Sequence, residues 1–342
     1  MAGGSSTTVL LIAAPAVAIL AIIWFKRKRD SKIKSCQVDR DLEGKVVLIT
    51  GASSGLGRET ALELAKRKAT VVLACRDASK GEKAFHYILS KCPDQVLPEN
   101  LVLMTLDLGS VISIESFVHQ FSAKFDKLDI LLNNAGVMGA PFQLSKDGIE
   151  LHFAVNHLGH FHLTNLLADF LKKASPSRVI NVSSGYYRKM KEAKFENLQA
   201  QTAPTDFDPF MAYARSKLAN NLHAIELAQR LKSDNICVVS MHPGFVRHTE
   251  LGRYFSSVFY LLAYPLIWFF SKTLRQGVQT ILYCCLEEQN KLESGGYYGN
   301  CDKEEYMSVV NAEAASELWN LSDKLVAEIK ARIRAKEICH SL

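Results

Sequence analysis

The sequence predicts an α/β fold, a doubly wound parallel sheet of about seven strands with helices on both faces, preceded by a membrane anchor. Three observations predict it. Short β-branched runs alternate with helix-like segments from residue 42 onward, the pattern of parallel strands joined by helical crossovers. A glycine-rich turn, Gly51-Ala-Ser-Ser-Gly55-Leu-Gly57, follows the first of these runs. Residues 8–25 form an uncharged, almost wholly apolar stretch of 18 residues, close to the roughly 20 that span a bilayer.

Residues 45–50 (Lys-Val-Val-Leu-Ile-Thr) read as a buried first strand, and 58–68 as the helix after the glycine turn. Glycine lets a backbone turn tightly and approach a pyrophosphate, and the helix N-terminus beyond offers free N–H groups and partial positive charge. Gly51, Ser53, Ser54, Gly55, Leu56 and Gly57 are therefore the expected phosphate-side residues of a dinucleotide site. A glycine-rich loop without a ligand is the alternative. The second strand, 70–74, is followed by Cys75-Arg76, where a site selective for NAD places a carboxylate. An arginine there suits a 2′-phosphate, and Arg58 offers a second positive charge to the same group, so NADP(H) is the cofactor expected. The third strand, 101–106, ends at Asp107, which either receives the adenine amino group or caps the helix that begins near Ser110. The fourth, 128–132, leads into Asn133-Asn134-Ala135-Gly136, either a cofactor wall or a plain turn. Strands at 178–182 and 236–239 continue the series, Gly295-Gly-Tyr-Tyr-Gly299 precedes or forms a short seventh, and 312–335 reads as a final amphipathic helix.

The chemistry is carried by Tyr213-Ala-Arg-Ser-Lys217. Its two ends are four residues apart in a helical segment, 211–231, and so share a face. A phenol ionises near pH 10, and a neighbouring ammonium is expected to lower that value by about 1 to 3 units. Tyr213 would then protonate a carbonyl oxygen, or deprotonate an alcohol, while hydride moves at the carbon. Ser183-Ser184 ends the fifth strand at the sheet edge where open α/β folds bind ligands, and Asn156 lies within a helical stretch.

These residues carry a resemblance. Thr50-Gly51-x-x-x-Gly55-x-Gly57, Asp107, Asn133-Asn134-Ala135-Gly136, Asn156, Ser184, Tyr213-x-x-x-Lys217 and Pro243-Gly244 stand in the order seen in short-chain dehydrogenases/reductases, over about residues 42–321. Ala74-Cys-Arg-Asp77, Val155-Asn-His-Leu-Gly-His160, Ser216-Lys-Leu-Ala-Asn220 and His242-Pro-Gly244 are similar to the microsomal retinol dehydrogenases, which reduce retinal with NADPH. The resemblance implies a Rossmann-type sheet. It also implies that Ser184 holds the substrate oxygen, Tyr213 is the acid/base, Lys217 also binds the nicotinamide ribose, and Asn156 orders a water in the proton relay. Pro243 and Gly244 are implied at the cofactor. The chain departs from the family at His248, an apparent insertion that puts the reach of Thr249 to the cofactor in question. Tyr186 and Tyr187 either line the substrate pocket or pack in the core.

Lys26-Arg27-Lys28-Arg29 follows the apolar stretch, the reverse of a cleaved signal peptide, so the expectation is an uncleaved anchor over 1–25 and a basic juxtamembrane segment over 26–41. The positive flank places the catalytic domain, 42–322, on the cytosolic side of the endoplasmic reticulum membrane, with a helix and tail over 323–342. Much of the net charge of +6 sits in that flank and argues for anionic lipid, not nucleic acid. A second apolar stretch, 254–270, reads as a membrane-dipping substrate lid or as a buried helix. Eight cysteines show neither a disulfide framework nor a metal spacing, and no metal is expected. The expected activity is reduction of retinal with NADPH. Steroids, lipid aldehydes or xenobiotic carbonyls are the alternative substrates, and an NADP-binding membrane scaffold is the non-enzyme alternative. The partners expected are an apolar small molecule, membrane lipid and a second copy of the chain.

Overall fold

Eight strands form one sheet in the computed structural model, which describes residues 20–247, 249–254 and 257–341. They are β1 (Val46–Thr50), β2 (Thr70–Cys75), β3 (Leu101–Thr105), β4 (Ile130–Asn133), β5 (Ser177–Val182), β6 (Ile236–His242), β7 (Tyr297–Gly299) and β8 (Asp302–Glu304). Their order is β3-β2-β1-β4-β5-β6-β7-β8, parallel from β3 to β7. The doubly wound parallel sheet is as the sequence predicts, and β8 is the addition. It pairs antiparallel to β7 across Asn300 and Cys301, whose φ of 51° and 57° give the left-handed two-residue turn that matches strand twist.

The strands read as continuous apolar runs because helices cover both faces. Val47 and Ile49 of β1 join one core cluster, and Val46 and Leu48 join the other, as side chains alternate along a strand. The helices of six or more residues that follow β1 are α1 (Gly55–Ala65), α2 (Ala78–Lys91), α3 (Val111–Ser122), α4 (Gly159–Leu166), α5 (Ala168–Lys173), α6 (Pro209–Arg230), α7 (Ser257–Phe270), α8 (Leu274–Leu286) and α9 (Ala312–Ser341). Helix α1 begins inside the glycine turn, at Gly55 rather than Arg58, and stops at Ala65 because Lys68 is left-handed, with φ of 65°. Helix α6 starts two residues ahead of Met211: Asp208 accepts from the amides of Phe210 (2.7 Å) and Met211 (3.3 Å), and Pro209 takes the first helical position.

Helix α9 runs unbroken across the expected 322/323 boundary. Its Leu318, Leu325, Val326 and Ile329 are buried in a third cluster with Leu218 and Leu222 of α6, so packing continues past that division. Of the expected anchor, residues 1–19 lie outside the described residues, and 20–30 are helical. Among the described residues no helix is long and apolar enough to cross a membrane.

Candidate active site

The chain winds in opposite directions from β1 and β4, which pair with each other and open a crevice beyond their C-terminal ends. Gly51, with φ of 66°, turns there so close to the β4 loop that a Cβ would stand 2.8 Å from the Ala135 Cα. At Gly57 a Cβ would meet the Gly51 carbonyl oxygen at 2.4 Å. Ser54 caps α1 with no side-chain bond, which leaves the first-turn amides for an anion. A cavity of about 960 Å³ starts here and is lined by Gly51, Ser53, Ser54, Gly55, Leu56, Gly57, Arg76, Asp107, Asn134, Ala135, Gly136, Tyr213, Lys217, Pro243 and Gly244. The turn, the uncapped helix and the length of this crevice fit a dinucleotide.

Arg76 lines the cavity with an exposed side chain just past the end of β2. Arg58 does not line it. Its guanidinium stacks 3.8 Å from the Tyr87 ring centroid on α2 and pairs with Glu59 at 3.3 Å, so the second cation expected from the sequence is turned away. Lys80, in the first turn of α2, lines the cavity and holds both Glu250 carboxylate oxygens at 3.0–3.1 Å. Ser110 caps α3, and Asp107 instead accepts from the Gly109 amide at 3.0 Å and pairs with Lys146 at 2.9 Å. Thr249 lines the cavity despite the preceding His248, and a Cβ on Gly55 would lie 3.6 Å from it.

Tyr213 and Lys217 are both buried, 4% and 3% exposed, on the face of α6 that meets the end of β5. Burial pushes the Tyr213 phenol up to about 12, against a hydrogen bond from Ser184 that lowers it. Burial pushes the Lys217 ammonium down to about 7. The sequence expectation that Lys217 lowers the phenol is not met in this geometry. Lys217 Nζ donates to the Val182 carbonyl at 2.8 Å, 5.7 Å from the Tyr213 ring centroid, and desolvation governs the phenol. The phenol is therefore protonated at neutral pH, the state that an acid needs.

The two serines that follow β5 divide their work. Ser183 Oγ is committed to the Lys217 carbonyl at 2.8 Å, whereas Ser184 Oγ accepts from the Tyr186 amide at 3.2 Å and reaches the Tyr213 phenol. Asn156 stands in a π-helical turn, Ala154–Leu158, a distortion frequent at functional sites. Its side chain accepts from the Val137 amide (2.7 Å) and donates to the Val137 carbonyl (2.9 Å) and Ser216 Oγ (2.9 Å). It does not line the cavity itself, but a Cβ at Gly136 would come 3.4 Å from Asn156 Oδ1 and 3.7 Å from Lys217 Nζ, so both atoms face the gap that Gly136 leaves.

The two tyrosines after Ser184 part company. Tyr186 lines the cavity, its ring 6.3 Å from that of Tyr213, while Tyr187 is fully buried against Tyr297. Ala263 and Ile267 of α7 add an apolar wall to the cavity, and Leu262, Leu266 and Phe270 of the same helix face outward, 77%, 65% and 62% exposed.

Residues 45–196 match the short chain dehydrogenase family model. Human retinol dehydrogenase 11 is 40% identical over 93% of this chain and 96% of its own length. The chain belongs to the short-chain dehydrogenase/reductase family. Human retinol dehydrogenase 12 is 43% identical, covering 85% of this chain and 89% of its own, which places the chain in the retinol dehydrogenase group of that family. A solved structure of an uncharacterized protein from Mycobacterium paratuberculosis superposes with a TM-score of 0.66 at 31% identity, over 85% of this chain and 96% of that one. The protein is accordingly an oxidoreductase of the alcohol dehydrogenase type, on a fold that uses NAD or NADP.

Three residues of this short-chain site escaped the sequence reading. Thr50 Oγ1 accepts from the amides of Asn134 (2.9 Å) and Ala135 (3.0 Å) and lies 2.7 Å from His160 Nε2. His160 Nδ1 faces the Asn156 carbonyl at 3.0 Å, which accepts only, so Nδ1 carries the hydrogen and Nε2 accepts from Thr50. Burial lowers His160 to about 3, so it stays neutral and ties the Asn156 turn, through Thr50, to the Asn134–Ala135 loop. Ser216 joins Asn156 to the Tyr213 carbonyl, donating to it at 2.7 Å. Thr50 and Ser216 sat inside the quoted motifs, and the spacing of His160 from Asn156, one helical turn, was the available signal.

Proposed function

We propose that this oxidoreductase is a membrane-anchored, NADP(H)-dependent enzyme that interconverts an apolar alcohol and its carbonyl, with retinal reduction by NADPH as the physiological chemistry. The observation that carries it is the Ser184–Tyr213 pair in a cavity that Ala263 and Ile267 also line with apolar side chains. The names of the retinol dehydrogenases it resembles support the retinoid as substrate. When bound, the dinucleotide supplies or accepts the hydride. Ser184 Oγ holds the substrate oxygen, and Tyr213 Oη gives that oxygen its proton in reduction and removes it in oxidation. Lys217 Nζ holds the nicotinamide ribose, and Asn156 orders the water that continues the relay from Lys217. The amides of the 51–57 turn hold the pyrophosphate, Asp107 and the Asn134–Gly136 loop flank the base and ribose, and Pro243, Gly244 and Thr249 close over the far side.

Arg76, with Lys80 beside it, receives the 2′-phosphate. Glu250 competes for Lys80 in the absence of that phosphate. Glu250→Gln is expected to tighten binding of adenosine 2′,5′-bisphosphate by about two- to fivefold, the worth of an exposed ion pair, without changing 5′-AMP. Calorimetric titration of the two nucleotides checks this, and unchanged affinity would remove Glu250 from the site.

The exposed apolar face of α7, together with Leu20, Ile22, Trp24 and Phe25 ahead of the basic cluster, supports contact with a bilayer. The enzyme is proposed on the endoplasmic reticulum membrane, facing the cytosol. The reading is tested by NADPH oxidation in lipid vesicles with all-trans-retinal, a steroid ketone and a medium-chain aldehyde. Preference for retinal supports the retinoid; activity confined to the others reassigns the substrate and keeps the mechanism.

A further inference from the structure

The basic cluster Lys26–Arg29 was expected to meet lipid headgroups, but half of it is turned inward, against α7. Arg27 and Lys28 are exposed, whereas Lys26 is 7% exposed and Arg29 is half-buried. Lys26 Nζ sits 5.0 Å from the Trp268 ring centroid. Arg29 donates to the Phe269 carbonyl and, at 3.3 Å, to the Ser271 carbonyl, with its guanidinium 5.6 Å from the Phe269 ring centroid. Asp30 bonds both cations and holds them in place: Lys26 at 3.1 Å and Arg29 through its carboxylate. Arg247 donates to the Trp268 carbonyl at 3.3 Å from the other side. The last carbonyls of a helix have no partners within it and carry its negative pole, so two arginines there hold the end of α7 both by hydrogen bonds and by the helix dipole.

Helix α7 is also tied at this end through the backbone, from Lys272 N–H to the Phe245 carbonyl at 2.7 Å and from Arg247 N–H to the Lys272 carbonyl at 3.1 Å. Its interior contains Pro265, and its Leu262, Leu266 and Phe270 face outward. Ala263 and Ile267, one turn apart, face the cavity. Fixing its C-terminal end therefore sets where that wall stands.

We propose that Arg29 is a positioning residue for substrate binding: the juxtamembrane helix, residues 20–30, clamps the C-terminal end of α7 and so sets the apolar wall that closes on the substrate. This rests on the proposed role of α7 as the substrate wall. In consequence the membrane flank and the pocket are one mechanical unit, and the segment after the anchor helps to select long apolar substrates.

The test uses the full-length chain in vesicles with Arg29→Ala and Arg29→Lys. For Arg29→Ala, the KM for all-trans-retinal is expected to rise about tenfold, as for loss of charge-assisted hydrogen bonds, with kcat within about twofold. The KM for a short aldehyde that does not reach α7, and the Kd for NADPH, stay unchanged. Arg29→Lys keeps the charge, loses the two-carbonyl fork and falls between. An equal rise for both substrates, or no rise for either, overturns the proposal. Hydrogen exchange provides an arm independent of turnover: in Arg29→Ala, amides of residues 262–271 should exchange faster while those of β1 and β5 do not. If the wild type reduces no carbonyl, the proposed function fails and exchange decides the clamp alone, with unchanged or uniformly faster exchange overturning it.

Discussion

Tyr213→Phe is expected to lower turnover by about 10²–10⁴-fold, the range for removing a positioned general acid, while the Kd for NADPH moves by less than about threefold. The ring stays, and with it the packing against Tyr186 and the fit beneath Lys217. What is lost is one O–H, buried and protonated at neutral pH because desolvation raises the phenol to about 12. Ser184 reaches the same point, but a hydroxyl gives up a proton far less readily than a phenol, and Lys217 Nζ is engaged on the Val182 carbonyl at 2.8 Å. Steady-state turnover together with fluorescence titration of NADPH separates the two quantities. Retained turnover would remove Tyr213 from the mechanism, and loss of cofactor affinity in parallel would recast it as a structural residue.

Arg76→Glu is expected to weaken NADPH by about 10- to 100-fold and to leave NADH within about threefold. The guanidinium lies at the cavity edge past β2, exposed and without an ion pair among the described residues, so it is available to a phosphate. A charge-assisted hydrogen bond contributes about 1.5–3 kcal/mol, and the reversed charge adds repulsion toward the 2′-phosphate alone. Parallel titrations with the two cofactors decide it. Equal loss for both would place the 2′-phosphate elsewhere, with Lys80 the next residue to test.

The parts of the fold that the sequence revealed are those encoded over short range. Strand runs such as Val46–Thr50 and Thr70–Cys75, the 51–57 turn and the four-residue spacing of Tyr213 and Lys217 are local patterns, and the structure places them together at one sheet edge. What stayed hidden depends on partners distant in sequence. Arg58 looked like a phosphate ligand because it follows the glycine turn, but Tyr87 on the next helix draws it away. Lys26 and Arg29 looked like lipid contacts because they follow an apolar stretch, but the end of α7 lies some 240 residues on. The hairpin to β8 was hidden for a different reason: its strand is three charged residues and its turn is Asn-Cys, where the usual signal is Asn-Gly. The Thr50–His160–Asn156 chain required knowing that three elements converge, which no spacing states.

The measurement that tests the account most directly is product analysis with the full-length chain in lipid vesicles, supplied with all-trans-retinal and NADPH. The account predicts that retinol accumulates mole for mole with NADPH consumed, and far more slowly when NADH replaces NADPH. Absence of any alcohol product, from retinal and from other apolar carbonyls alike, would contradict it.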